Sequence, residues 1–270
     1  MRPTQRDGIE AGVVAPTSPG TKGPDSVLGR ACLLLDALDA DHPHLSISEL
    51  ARRAGLPKST THRLAAELVT LGLLEPSAEG GVQLGLRLFE LGELVPLRRS
   101  LRDAALPFME DLVEATRQRV HLAVLEGVEV VYLQILGAKS PIVLPSRVGG
   151  RLPAHATGVG KAMLAYSAPG VVQARLDAGL PRVSPRSIAN PGVLRRELDT
   201  IRREGIAYDR EESQIGVSCA AAPVFGPDGA VVAALSVTGR TGQVDVERLA
   251  PAVKTAALAL SRRLGHHPGR

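Results

Sequence analysis

A chain of 270 residues with 44% hydrophobic content has enough apolar material for two modest domains, each with its own core. With no Trp, three Phe and three Tyr, those cores must be filled by Leu, Val, Ile and Ala, so stacking of aromatic rings on single-stranded nucleic acid drops out as the main binding mode. A formal charge of +4 is compatible with a polyanionic partner without demanding one, the two distant cysteines do not make a disulfide framework, and no run approaches the roughly 18 apolar residues of a membrane span.

Residues 1–25 are rich in Pro, Gly, Ser and Thr without apolar periodicity and read as a disordered tail. Order is expected from Val27, where Leu28, Ala31, Leu35 and Leu38 recur at helical spacing. After DADHPHL, Ser46 with Glu49 three residues on forms a capping box that opens a short helix through Leu50 to Ala54, ended by Gly55. Pro57 suits the first position of the next helix, so GLPKSTTHRLAAEL reads as a turn and second helix, together a helix-turn-helix. On that second helix Thr61, Leu64, Ala65 and Leu68 share one face, and Ser59, His62, Arg63 and Ala66 lie on or beside the other. Its N-terminal part offers Lys58, Ser59, Thr60, His62 and Arg63 to duplex DNA: hydroxyls for phosphates or base edges, and a guanidinium able to grip guanine through two hydrogen bonds. Two short strands, Leu73 to Glu75 and Val82 to Leu84, around Gly80-Gly81 make a wing, completing a winged helix-turn-helix over residues 26–85. An ordinary exposed helix pair is the competing reading; the ordered run of cap, Gly-Leu-Pro turn, hydroxyl-rich face and hairpin favours DNA.

Charge is adverse over this region as a whole. Between Val27 and Val95 six Lys and Arg face nine Asp and Glu, net −3. From Arg52 to Arg63, however, Arg52, Arg53, Lys58 and Arg63 occur with no carboxylate among them, and a local basic face is expected there.

Leu86, Phe89, Leu91 and Leu94 continue as a short helix to Pro96, followed by the basic LRRSLRDAALP and the amphipathic FMEDLVEATRQ; residues 86–105 are expected to be a helical linker. Arg98, Arg99 and Arg102 are compatible with phosphate contacts or with a solvated face. From Val120 the pattern turns to strands, VHLAVL, EVVYLQIL and PIVLPS, then to helices from about Gly158 to Ala168 and Val193 to Glu204. Strands resume at IAYD, SCAAAPVF and AVVAALSVTG, and a last helix runs from Val244 to Leu264. Hairpin-length connections such as GPDG predict an antiparallel sheet flanked by helices, an α+β domain over residues 106–265, with 266–270 as a tail.

TGVGKA imitates the end of a phosphate-binding Walker loop, but the required first glycine falls at His155 and Ala162 stands where a magnesium-binding hydroxyl is needed. The seven histidines show no metal spacing and read as scattered surface residues, and there is no GxSxG nucleophile elbow. No cofactor, metal or catalytic residue is expected. Two rival classes are an enzyme whose site lies in the second domain and a winged helix serving only protein contacts.

From Ser26 to Leu264 the chain resembles the IclR family of transcriptional regulators. The residues that carry the resemblance are LSISELARRAGLPKSTTHRLAAEL with VQLGLRL after it, LPAHATGVGKAMLA, and GIAYDREESQIGVSCAAAPV with VAALSVTG. Ala220 departs from a usual branched aliphatic and Gly226 from a usual Asp or Asn, neither at a polar position of the pattern. Two unpaired cysteines and no apolar leader or span lead us to expect a cytoplasmic, non-membrane protein, and the resemblance implies a homodimer or dimer-of-dimers tetramer. Its winged domains would read a palindromic double-stranded operator, and its second, GAF-like domain would bind a small-molecule effector, with repressors and activators both known. It further implies a pocket at Gly158 and Val159 on a helix start, Asp209 and Cys219 on strands, and Ser236 and Thr238 on the penultimate element.

Backbone N–H groups at a helix start favour an anion, so a carboxylate or aromatic-acid effector is reasonable, and Asp209 would repel it unless protonated or hydrogen-bonded to a hydroxyl. Each of these residues also has a plain structural reading: Asp209 as a surface carboxylate, Cys219 as a small buried thiol, Ser236 and Thr238 as one solvated strand face. A hundredfold preference of the effector for one dimer arrangement would shift that equilibrium by about 2.7 kcal/mol, enough to clear a moderately occupied operator. Control of a catabolic operon is the expected role.

Overall fold

The computed structural model describes residues 26–137 and 144–266, in two compact units, residues 1–99 and 100–270. The expected tail over 1–25 and the last four residues lie outside the described residues.

The first unit begins with α1 (Val27–Asp36), capped by Ser26, whose Oγ accepts the Gly29 N–H at 3.0 Å. Next come β1 (His44–Leu45), α2 (Ile47–Ala54), α3 (Lys58–Thr70) and the hairpin β2 (Leu74–Pro76) with β3 (Val82–Leu84). The three strands are antiparallel in the order β1-β3-β2, with Leu45 opposite Val82 and Leu74 opposite Leu84. Leu34, Leu38, Leu50, Leu64, Leu68 and Leu74 meet as an aliphatic core, the consequence of a composition almost without aromatic rings. β1 was not anticipated: two residues carry no readable alternation, and pairing with β3 alone makes them a strand. The strand expected at Leu73 to Glu75 is shifted by one residue. Pro57 is the N-cap of α3, at φ −57° and ψ 140°, and the first helical residue is Lys58. Gly81 is required by its surroundings, since a Cβ there would lie 2.1 Å from the Leu45 carbonyl oxygen. α4 (Leu86–Glu93) buries none of its residues.

α5 (Pro96–Thr116) runs unbroken through Pro107. In the second unit six antiparallel strands lie in the order β6-β5-β4-β9-β8-β7. They are β4 (Arg119–Glu126), β5 (Glu129–Leu136), β6 (Arg151–Pro153), β7 (Ala207–Arg210), β8 (Val217–Phe225) and β9 (Val231–Arg240). Helices cover both faces. Against one lie α5 and the last helix, α9 (Val246–Arg263), through Met109, Leu112, Val253 and Leu260, which meet Leu122, Leu235, Val237 and Val224. Against the other lie α6 (Gly158–Leu164), α7 (Pro169–Asp177) and α8 (Pro191–Glu204). All seven residues of α6 are buried. It approaches closely because the sheet beneath it presents Ala123, Ala207, Ala221 and Ala234. Gly160 is equally constrained, for a Cβ there would meet the Ala154 carbonyl oxygen at 2.1 Å.

Several expected elements differ. Leu144–Ser146 of the expected strand PIVLPS are not strand, and the rest of that segment is outside the described residues; the sheet edge is β6 instead. The helix expected to reach Ala168 stops at Leu164, and α7 begins at Pro169, where proline's fixed φ and missing N–H suit a helix start. α8 opens two residues early because the Asn190 side chain caps it, accepting N–H groups of Gly192 and Val193 at 2.8 and 3.1 Å. α9 opens two residues late, at the cap Asp245.

Candidate functional site

Two surfaces carry the chemistry. In the first unit, Gly55 ends α2 in the left-handed conformation at φ +66°. The Ser46 Oγ caps that helix by accepting the Glu49 N–H at 3.2 Å. The expected reciprocal half of the capping box is replaced, because the Glu49 carboxylate turns to Arg52. On α3, Thr61, Leu64, Ala65 and Leu68 are buried, while Lys58, Ser59, His62, Arg63 and Ala66 are exposed and Thr60 is half-buried. The Arg63 side chain is 61% exposed and loosely paired with Glu67 at 3.8 Å, so it can swing outward at little cost. The basic face is narrower than the sequence suggested. Arg52 is paired with Glu49, and Arg53 is tied to the Ala37 carbonyl and the Asp39 carboxylate. Lys58 and Arg63 remain as outward-facing cations of that stretch.

In the second unit, period-two alternation assigns the two faces of the sheet. Leu122, Ala220, Ala222, Leu235 and Val237 point toward α5 and α9. Their neighbours point the other way, and toward one end of that face they turn polar. The ladders pair Asp209 with Cys219, Cys219 with Thr238, and His121 with Ser236. All six residues expected in a pocket, Gly158, Val159, Asp209, Cys219, Ser236 and Thr238, line one cavity, and among the described residues no Lys or Arg lines it. The enclosed free space is about 20 Å³, room for about one water molecule.

Asp209 is buried, not a surface carboxylate. Oδ1 accepts N–H groups of Glu212 at 2.7 Å and Ser213 at 3.2 Å, and Oδ2 accepts the Ser213 hydroxyl at 2.5 Å. Burial pushes its pKa up to about 6 despite those donors, with Glu212 adding to the rise and Lys161 opposing it. Burial likewise raises the Cys219 thiol, foremost over the Asp209 charge, so the thiol is protonated and a poor nucleophile. Gly158 abuts it: a Cβ on that glycine would lie 2.6 Å from the Cys219 Sγ.

Sequence reasoning missed His121, Tyr132, Ser146 and Ser213, which line the same cavity. His121 is buried and its pKa is held down at about 3, chiefly by burial and secondarily by Arg119, so the imidazole is neutral. Its Nε2 lies 2.9 Å from the Ser146 Oγ and its Nδ1 3.3 Å from the Thr238 Oγ1, and its ring meets Tyr132 edge-on at 5.5 Å. The expectation of scattered surface histidines therefore fails at His121. It fails also at His155, fully buried with Nε2 3.1 Å from the Pro181 carbonyl oxygen. Alternation would have found His121: if Leu122 and Val124 face one helical layer, His121 must face the other. Lys161, at the end of the Walker-like string, is fully buried with its ammonium on the carboxylates of Glu212 and Glu197. Among the described residues no group of three or more His, Cys, Asp or Glu could hold a metal, and no helix is long and apolar enough to cross a membrane.

Residues 27–78 match the IclR helix-turn-helix domain, and residues 96–262 match the C-terminal domain of bacterial transcriptional regulator IclR. The chain is 35% identical over 242 residues to the HTH-type transcriptional regulator XynR of Escherichia coli (strain K12), covering 88% of this chain and 96% of that protein. It is 31% identical over 261 residues to the HTH-type transcriptional repressor AllR of Klebsiella pneumoniae, covering 93% and 96%. Among solved structures, an IclR homolog from Microbacterium hydrocarbonoxydans complexed with 4-hydroxybenzoate superposes with a TM-score of 0.81 at 36% identity, covering 88% of this chain and 99% of that one. IclR of Thermotoga maritima gives 0.70 at 30% identity, covering 88% and 98%.

Proposed function

The chain belongs to the IclR family of bacterial transcriptional regulators, whose relatives are regulators and not enzymes, and we propose that it is an effector-responsive, operator-specific DNA-binding protein acting in the cytoplasm. The observation that carries the proposal is the pairing, in one chain, of an exposed α3 face bearing Lys58, Ser59, Thr60, His62 and Arg63 with an enclosed polar cavity in the second unit. In this reading α3 enters the major groove, with its hydroxyls and Lys58 on phosphates and Arg63 on a base edge. Exposed apolar side chains on α4, Leu86, Phe89 and Leu91, and at its C-cap Leu94, favour a homodimer in which a second copy covers them, and a two-fold dimer reads a palindrome.

The effector we propose is a small organic acid, with an aromatic acid as the first class to test, on the analogy of the Microbacterium relative complexed with 4-hydroxybenzoate. Because no cation among the described residues lines the cavity, its carboxylate would be held by neutral donors: the hydroxyls of Ser236 and Thr238 and backbone N–H groups at Gly158 and Val159. Asp209, with its pKa near 6, would take up a proton as the anion enters. A cavity with room for one water does not hold a ring, so such a ligand selects an enlarged arrangement over this one, which is the differential affinity that a population shift needs. AllR is named a repressor, and release of the operator is therefore the direction proposed, with an adjacent catabolic operon as target.

Fluorescence anisotropy of the full chain on a duplex from its own promoter region, with and without 4-hydroxybenzoate, tests both halves. Specific binding that weakens about tenfold or more with the acid supports them. Equal affinity for every duplex across a range of salt defeats the first half. Unaltered operator affinity with a panel of aromatic and aliphatic acids defeats the second.

A further inference from the structure

Lys161 stands on α6 two residues beyond Val159 and exposes no surface. Its Nζ lies 2.6 and 2.8 Å from the two carboxylate oxygens of Glu212 and 3.2 Å from Glu197 on α8. A buried ion pair of this kind adds little net stability, because desolvation of both charges offsets their attraction. Its consequence is geometric. Glu212 opens the turn that closes the cavity, and its N–H, with the N–H and hydroxyl of Ser213, holds the Asp209 carboxylate. The same turn is tied at its back, where the Ser184 hydroxyl donates to the Glu211 carbonyl at 2.5 Å and the Ser187 hydroxyl to the Glu212 carbonyl at 2.7 Å. Lys161 supplies the side-chain anchor on the α6 side.

We propose that Lys161 is a positioning residue of this cavity: by fixing Glu212 it places the turn that holds Asp209, and it sets the Lys161–Glu212 charge pair beside that carboxyl. The inference rests on the reading of the cavity as the effector site for its relevance to regulation. The titratable and charged groups around Asp209 are Glu212 on its own turn, Lys161 on α6, Cys219 on β8, Tyr132 on β5 and His121 on β4 across the cavity. Burial keeps the thiol, the phenol and the imidazole neutral, leaving the charges of Glu212 and of Lys161, the latter shared with Glu197 on α8. Glu212 favours the protonated acid and Lys161 the carboxylate.

Two measurements on the full-length, ligand-free protein test this. In amide hydrogen exchange, K161M should speed the Glu212 and Ser213 amides on the order of tenfold or more while the β8–β9 ladder stays protected, and K161R, which can still pair with Glu212, should restore them. In a carbon-13 titration of the Asp209 carboxyl, assigned with D209N, E212Q should lower the midpoint from about 6 in the unaltered protein. Unchanged exchange at both amides in a folded K161M, or an E212Q midpoint that stays or rises, overturns the proposal. If K161M does not fold, the E212Q titration decides. Neither measurement involves an effector, so failure of every acid to release the operator would sink the effector reading and leave this result standing.

Discussion

Replacing Asp209 with Asn should stabilise the second unit at alkaline pH and leave it unchanged in acid. The folded-state pKa of Asp209 is raised from 3.8 to about 6 by burial, so the native state binds this proton more tightly than the unfolded chain does. The native state is therefore favoured below pH 3.8. That advantage is lost as pH rises to about 6, beyond which the buried carboxylate costs up to about 3 kcal/mol at 1.36 kcal/mol per pKa unit. Asn is isosteric and neutral. Its Oδ1 can accept the Glu212 and Ser213 N–H groups, and its amide can donate to the Ser213 oxygen. Allowing for weaker hydrogen bonds to a neutral acceptor, a net gain of about 1–2 kcal/mol is expected at pH 8, fading toward pH 4. The three tyrosines of the chain, Tyr132, Tyr166 and Tyr208, all lie in the second unit, so urea denaturation followed by tyrosine fluorescence reports on that unit alone. If D209N equals the unaltered protein at pH 8, or is less stable, Asp209 is not a burial-strained carboxylate, and proton-coupled entry of an anion loses its basis.

Arg63→Ala should weaken operator binding by about 1–3 kcal/mol, roughly fivefold to 150-fold, without moving the thermal transition, because the side chain is exposed and loosely paired; unchanged anisotropy removes it from the interface. Lys58→Ala should weaken specific and non-specific duplexes alike and flatten the salt dependence by about one counterion, read from the slope of log Kd against log salt. Gly158→Ala drives a methyl against the Cys219 sulfur and should abolish the effector response while sparing operator binding. Adding C219A should restore it, and a double variant as deaf as the single would refute the steric account. Gly160→Ala must displace the Ala154 backbone carbonyl and should destabilise the second unit by about 1–3 kcal/mol in the same urea assay.

Elements that were legible in the sequence are those whose cause is local. Ser46 and Gly55 delimit α2, the buried stripe of Thr61, Leu64, Ala65 and Leu68 defines α3, and strands β4, β5 and β9 announce themselves by Val, Leu and Ile content. What was missed depends on distant partners. β1 exists because His44 and Leu45 pair with Gln83 and Val82, and β6 because Arg151–Pro153 pair with Glu129–Val131. α7 was hidden in a polar run whose apolar residues have almost no one-sided bias. The local basic face was overestimated for a related reason: Asp39, which holds Arg53, is 14 residues away in sequence.

The six pocket residues were reached through a family resemblance and not through pattern, and the sheet explains why pattern could not suffice. Ser236 and Thr238 look alike whether their strand face is wet or covered; burial comes from α6, about 75 residues earlier, packing on alanines that carry no functional signal. The Asp209 environment is more deceptive still, since DREES suggests a hydrophilic surface loop. In the fold Asp209, Glu211 and Glu212 are all buried: Asp209 is held within the string by Ser213 and the Glu212 N–H, while Glu211 and Glu212 meet the distant cations Arg186 and Lys161. A charged string enters the interior only when such partners are assembled, and assembly is a property of the topology. His121 makes the same point from the other side: its neutrality follows from burial under a layer that the sequence of β4 does not mention, yet strict alternation with Leu122 and Val124 already forbade it the solvent once helices were assigned to both faces.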